Sequence, residues 1–377
     1  MFPLKNINEL NTLEIVFFLS VFFLLIQIVY NVYFFRRLIF FTGRKNNFKP
    51  DVSIIICAKN EFDNLKNNLK SFLDQDYPNF EIVVVNDQSN DRTKQLLDQY
   101  DRTYYKLKVV HIDENVNHVI GKKFALTLGI KTAKYDNLLL TDADCFVSSD
   151  QWISSMAHTF QSSDIVLGYG PYKKEKGFLN RLIRFDTYNV AIQYLSYSLS
   201  SFTYMGVGRN LAYKKSVFFN NKGFANHLHV ASGDDDLFIR EVAKNNKVSI
   251  EISQDSHTTS LSEETWFAWM AQKRRHLTTS PMYDNKIKAL LSIYPFSQLF
   301  FFIGIGILIS CNVSYKFWMP LIYIKIFLSY VIHYPLMKKF NCFDLIFFQP
   351  FYEIFHLVLQ GFLFIFSVNA SQSKWNS

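Results

Sequence analysis

Only four cysteines occur in 377 residues: Cys57, Cys145, Cys311 and Cys342. They are scattered, without a CxxC pair or regular spacing, which excludes a disulfide framework and a cysteine-built zinc site. Reduced thiols in or near a cytoplasm are the simplest account. The chain also lacks internal repeats, low-complexity linkers and any basic stripe that would track nucleic acid. A cleavable leader is not expected, because the first apolar run has no basic start and no small-residue cleavage site.

What is abundant is apolar. Hydrophobic residues reach 49%, with 39 Phe, yet 19% of the residues are charged. Apolar ends around a polar middle explain both figures. Residues 13–35 are almost continuously apolar, and about 20 residues cross a bilayer. Arg36, Arg37, Arg44, Lys45 and Lys49 follow that run. The positive-inside bias therefore makes 1–37 an N-terminal transmembrane anchor and puts residue 36 onward in the cytoplasm, integral to the cytoplasmic membrane. Three more apolar stretches lie at roughly 289–312, 316–336 and 343–368, with Lys338 and Lys339 between the second and third. The segment 289–368 thus reads as two to three transmembrane helices. Glu353 and His356, close to Pro350, leave the last stretch open to being broken or re-entrant. Ionisable groups at membrane depth are functional by default. The net charge of +8 fits loop charges that fix orientation, with attraction to anionic lipid or substrate as the alternative.

The polar middle alternates strand-like and helix-like pieces. Strands are expected at 52–57, 81–85, 107–112 and 137–141. Helices are expected at 63–75, where Leu65, Leu69, Phe72 and Leu73 share a face, and at 93–100 and 122–134. Such alternation predicts an α/β fold with a mostly parallel sheet covered on both faces. In these sheets, ligands gather beyond the carboxyl ends of the strands.

Those ends are acidic. The first expected strand runs into Ala58-Lys59-Asn60-Glu61, the second into Asn86-Asp87 and on to Asp91, and a later one into Asp142-Ala143-Asp144. Asp91 alone reads as a helix cap. Residues i and i+2 of an extended segment point the same way, so Asp142 and Asp144 can face one ligand. Mg²⁺ or Mn²⁺ typically combines one or two carboxylates with substrate phosphates. Gly121-Lys122-Lys123 at a helix start suits a diphosphate, or is a solvated basic turn. Gly206-Val-Gly208-Arg-Asn210 lacks the third glycine of a dinucleotide fingerprint, so a loop touching substrate fits better. In Gly233-Asp234-Asp235-Asp236, mutual repulsion can raise one carboxyl toward the range of a general base; the alternative is an acidic helix start favoured by the dipole. Gln272-Lys-Arg-Arg275-His276 follows an amphipathic aromatic segment around Trp266 and Trp269, which suits a helix lying at a bilayer surface.

Together these segments resemble the family 2 glycosyltransferases of the GT-A fold, especially the membrane-integrated synthases related to cellulose, chitin, hyaluronan and poly-N-acetylglucosamine synthases. The resemblance covers about residues 50–280, with the motifs in the family order. It implies a Rossmann-like catalytic domain over 50–260, an interfacial segment over 261–288 and flanking transmembrane helices. It further implies that Ala58, Glu61, Asp87, Lys122 and Asp142 line the nucleotide sugar, that Asp144 holds Mg²⁺ or Mn²⁺, and that Asp235, with Asp234 beside it, is the catalytic base. Gln272 and Arg275 would meet the diphosphate, with Gly208, Asn210 and His276 on the acceptor side. The reaction implied is inverting transfer of a sugar from a nucleotide sugar, commonly a UDP-sugar, to a glycan or lipid-linked acceptor for cell-envelope or extracellular polysaccharide synthesis. Two departures matter. Asp234 stands where the family usually has Glu, and His276 stands where processive synthases carry Trp. A transferase adding one sugar to a lipid acceptor, and an inactive membrane scaffold, are the alternatives.

Overall fold

The computed structural model describes residues 11–43, 46–113, 121–230 and 232–367. Arg44 and Lys45 of the basic cluster, residues 1–10 of the anchor and residue 368 lie outside the described residues.

The strands are β1 (Val52–Ala58), β2 (Phe80–Asp87), β3 (Leu107–Ile112), β4 (Asn137–Asp142), β5 (Phe146–Val147), β6 (Ile165–Leu167), β7 (Leu211–Lys214), β8 (Val248–Ile250) and β9 (Thr258–Thr259). Seven of them form one sheet in the order β3-β2-β1-β4-β7-β6-β8, while β5 pairs with β9. The first four are parallel, with Cys57 opposite Asp142 and Ala58 opposite Asn86. Then β7 enters antiparallel beside β4, its Leu211 opposite Leu140. That reversal matters for function. It carries the turn Gly208–Asn210, just before β7, to the same rim where β1, β2 and β4 deliver their carboxyl ends.

Every residue of β1 is buried, as expected of a strand covered on both faces. Ile54 and Ile56 face the helices Phe62–Leu73 and Trp152–Ala157, whereas Ile55 and Cys57 face the helix Lys122–Thr132. The second core does not stop at the domain edge. It runs through the long helix Phe178–Ser198 into Phe34, Leu336, Met337 and Leu359 of the apolar helices. Burying each such side chain is worth about 1.5–3 kcal/mol, so catalytic and apolar parts pack as one body.

Among the described residues four helices are long and apolar enough to cross a membrane: Thr12–Phe40, Asn285–Ser310, Tyr315–Lys339 and Phe343–Leu363. The last opens with a 3₁₀ turn, Phe343–Phe348, before the α-helix Gln349–Ser367 begins beside Pro350. The stretch is broken there, because proline suits a helix's first turn but not its interior. Glu353 is explained by its partners. It pairs with Lys325 and accepts from Gln298, from Ser329 at 3.2 Å and from Gln349 at 3.1 Å. One carboxylate thus links the three later helices. Lys339 closes the first helix, donating to the carbonyls of Leu38 (3.2 Å), Ile39 (2.6 Å) and Phe41 (2.7 Å).

Candidate active site

The rim collects Asp87, Asp142, Asp144, Asp234, Asp235, Lys122 and Arg209. A cavity of about 10 Å³, barely room for one water, lies against the wall formed by Cys57, Lys122, Thr141, Asp142, Gly208, Asp234 and Asp235. Lys122 sits at its centre, in an ion pair with Asp142 and 3.4 Å from Asp234. Desolvation works against the ammonium, but Asp142 and Asp234 hold it well above its ordinary value. The same desolvation would raise Asp142, yet Lys122, helped by Arg209 and Arg275, keeps that carboxyl low. Asp142 is therefore a neutralised carboxylate. Asp144 is the opposite case: desolvation and the Asp142 charge push it up. The only hydrogen bond to its carboxylate among the described residues is the weak one from the Cys145 thiol, at 3.5 Å.

Across the cavity, Asp235 is the N-cap of the helix Asp236–Val242 and accepts from the Asp236 amide at 2.7 Å. Its other oxygen accepts from the Gly208 amide at 2.8 Å. Desolvation, with Asp234 and Asp236 adding repulsion, pushes Asp235 up to about 7. Gly233 makes the bend possible. Its φ is +93°, and a Cβ there would meet Leu237 Cδ1 at 2.6 Å, so glycine is the residue that fits.

On the β1 and β2 side, desolvation lifts Glu61 to about 7 against the bond from Asn64, and also raises Asp87. Ala58 is buried with its methyl in the core, so a ligand meets only its main chain. Asp91 stands one residue before the N-cap Arg92, and its carboxylate accepts from the first amides of two helices, Phe62 (3.2 Å) and Thr93 (2.9 Å). Lys123 is not an anion ligand. Its ammonium is buried and donates to the carbonyls of His227 (2.7 Å) and Val230 (2.9 Å).

Helix Trp266–Leu277 brings the remaining motif. Gln272 lies 3.4 Å from both the Tyr172 hydroxyl and Glu263. His276 is exposed. Asn210 departs from expectation. Its side chain is fully buried and ties Tyr169 O (2.8 Å), Ser256 O (2.6 Å) and the Trp152 indole (3.2 Å) together. Three satisfied hydrogen bonds in the core make it a brace for the rim, not an acceptor contact. Its neighbour Arg209 was missed as a functional residue. Its guanidinium stacks 4.2 Å from the Tyr172 ring centre and donates to Ser260 at 2.9 Å. Thr141 and Thr258 hold its carbonyl at 2.9 and 2.8 Å. A cation in a glycine-rich loop was the available signal.

Among the described residues no three His, Cys, Asp or Glu side chains converge as a ready-made metal cage. The donor set that is present, one under-bonded carboxylate raised by a second, fits a hard divalent ion that takes its remaining oxygens from a substrate diphosphate.

Residues 53–224 match glycosyl transferase family 2. The chain is 35% identical over 80 residues to a Bacillus subtilis glycosyltransferase named for teichuronic acid biosynthesis, TuaG, covering 21% of this chain and 32% of that one. It is 33% identical over 146 residues to a poly-β-1,6-N-acetyl-D-glucosamine synthase of Staphylococcus aureus, covering 35% of this chain and 32% of that one. The chain thus spans about a third of the length of these curated relatives. Among solved structures, the mannosyltransferase PcManGT of Pyrobaculum calidifontis, in complex with GDP-Man and Mn²⁺, superposes with a TM-score of 0.58 at 16% identity. That superposition covers 91% of this chain and 99% of the other, and it shows a common fold. The chain is thus similar to glycosyl transferase family 2 over residues 53–224, and its mixed seven-stranded sheet has the GT-A fold.

Proposed function

We propose that this chain is an inverting glycosyltransferase that takes a nucleotide sugar at the cytoplasmic membrane face and passes the sugar to a glycan or lipid-linked acceptor. The observation that carries the reading is Asp235. A carboxyl raised to about 7 lines the same small cavity as the Lys122–Asp142 pair. A base poised near neutrality removes a proton most effectively at cellular pH.

In the reaction, Asp235 takes the proton of an acceptor hydroxyl. That oxygen forms the new bond to the anomeric carbon, while the bond to the nucleoside diphosphate breaks on the opposite side and inverts the configuration. Arg275 and Lys122 lie where negative charge grows on the leaving diphosphate, and preorganised charges of this kind stabilise a transition state without reorganisation. Asp144 would hold Mg²⁺ or Mn²⁺; once bound, such an ion polarises the diphosphate oxygens. Glu61 and Asp87 flank the place of the nucleoside. The basic residues Arg36, Arg37 and Lys49 after the first apolar helix support a cytoplasmic catalytic domain. The exposed His276, at the position of the family's acceptor-supporting Trp, favours addition of a single sugar over a long polymer.

Membranes containing the full chain, incubated with a panel of radiolabelled sugar nucleotides, test the reading. Transfer from at least one donor with inverted anomeric configuration is expected, and Asp235→Asn abolishes it while retaining donor binding. A product of retained configuration, or no transfer from any donor, would overturn it.

A further inference from the structure

Helix Trp266–Leu277 presents Gln272 and Arg275, yet the contacts that hold it lie on another face. Trp266, Trp269 and Lys273 follow one another at helical spacing along one side. Trp269 is buried, and Trp266 packs 6.4 Å, centre to centre, from Phe355 of the last apolar helix. Lys273 ends that stripe with its ammonium 2.7 Å from Asp186 Oδ2. Two residues further on, at about 100° per residue, Arg275 points nearly the opposite way.

Asp186 belongs to the helix Phe178–Ser198 and is buried. Its other oxygen meets His356 Nε2 at 2.8 Å. His356 lies in the last apolar helix and is itself within 3.4 Å of Gln360. One carboxylate therefore joins three helices: the strut under the sheet, the helix carrying Arg275, and a helix of the apolar bundle. Burial works against this charge, but Lys273 and His356 hold the carboxyl well below its usual range. The strut is fastened to the same region again by Arg184, which binds Asp344 through two bonds of 2.7 and 2.8 Å.

We propose that Asp186 is a positioning residue for the leaving-group side of the site: by clamping Lys273 and His356 it sets the rotation of helix Trp266–Leu277, and so aims Arg275 at the diphosphate. The inference rests on the transferase reading given above. It assigns His356, an ionisable residue in an apolar helix, to anchoring the clamp.

A double-mutant cycle on the full-length protein tests it. Asp186→Asn is expected to lower kcat/KM for the donor by up to about 100-fold, the loss a misplaced group can cause from a distance. Asp186→Glu, which keeps the charge, restores part of it. In an Arg275→Ala background the same Asp186→Asn change adds little, because the group it aims is gone; interacting residues fail to add in this way. Lys273→Gln breaks the clamp from its other side and gives the same non-additivity, which covers the case in which Asp186→Asn does not fold. Equal fold-losses with and without Arg275 would overturn the proposal and leave Asp186 a purely structural ion-pair partner. An Arg275→Ala protein with normal turnover would overturn it too, and would also remove Arg275 from the proposed mechanism. Additivity leaves that mechanism intact, so the two failures are distinguishable.

Discussion

The Thr279 hydroxyl donates to the Asp236 carboxylate at 2.5 Å and so ties the acidic loop to the segment that leads into helix Asn285–Ser310. Tyr283 adds a second bond to the same oxygen at 2.9 Å, and Ser232 meets Thr278 at 3.0 Å. Asp236 is buried, so these bonds hold a charge that water does not reach. Thr279→Val keeps the shape and removes one donor. Hydrogen bonds to charged groups contribute about 1.5–3 kcal/mol, and the variant should unfold at a correspondingly lower temperature. An unchanged melting curve would show that Tyr283 alone suffices.

The raised Asp235 carboxyl gives turnover a pH dependence with a definite sign. The base must be ionised to accept a proton, so donor-saturated turnover should rise with pH through about 7. Stability runs the other way. The folded protein holds this proton more tightly than the unfolded chain, whose carboxyl titrates near 3.8. The associated stability is therefore present below about 3.8 and is lost as pH rises through 7. Asp235→Asn should flatten the stability profile across that window, as followed by thermal unfolding at fixed ionic strength.

Removing the metal should silence the enzyme. Asp144→Asn is expected to lose activity and also to lose binding of Mn²⁺ in the presence of a nucleoside diphosphate, which paramagnetic resonance detects without turnover. Full activity from a demonstrably metal-free protein in excess chelator would refute the assignment.

Membrane orientation has a built-in reporter. Cys311, just beyond helix Asn285–Ser310, is exposed, whereas Cys57, Cys145 and Cys342 are buried. If the catalytic domain is cytoplasmic, an impermeant thiol reagent should label Cys311 from outside intact cells. A cysteine placed at the exposed Asn90 in a Cys311→Ser background should resist it. The reverse pattern would invert the topology.

Much of the parallel half of the sheet was readable because each strand is a short apolar run and each helix has one apolar face. Leu65, Leu69, Phe72 and Leu73 are all buried as their spacing predicts. The other half, in which β7 alone runs antiparallel and β6 and β8 pair parallel, was not readable. β6, β7 and β8 have three or four residues each, too few for a period to emerge. The helix Phe178–Ser198 was missed for a different reason. It is buried nearly all round and includes Asn180, Arg184 and Asp186 among its buried residues, so it shows no apolar stripe. Arg184 and Asp186 are satisfied by partners 80 or more residues away, Asp344 and Lys273 among them, and no local pattern announces such partners. In the site, the acidic strand ends stood out as motifs. The bracing role of Asn210 and the place of Arg209 did not, because both depend on β7 running against β4.

The Lys339 cap on the first apolar helix also bears on biosynthesis. The carbonyls of Leu38, Ile39 and Phe41 leave the ribosome about 300 residues ahead of the ammonium that satisfies them. Until then the end of that helix has orphan acceptors that only water or headgroups can serve. The earliest of these four apolar helices thus has its inner end fastened only after helix Tyr315–Lys339 is made. A chain stopped before residue 339 would carry its catalytic domain on a helix whose inner end is still unfastened.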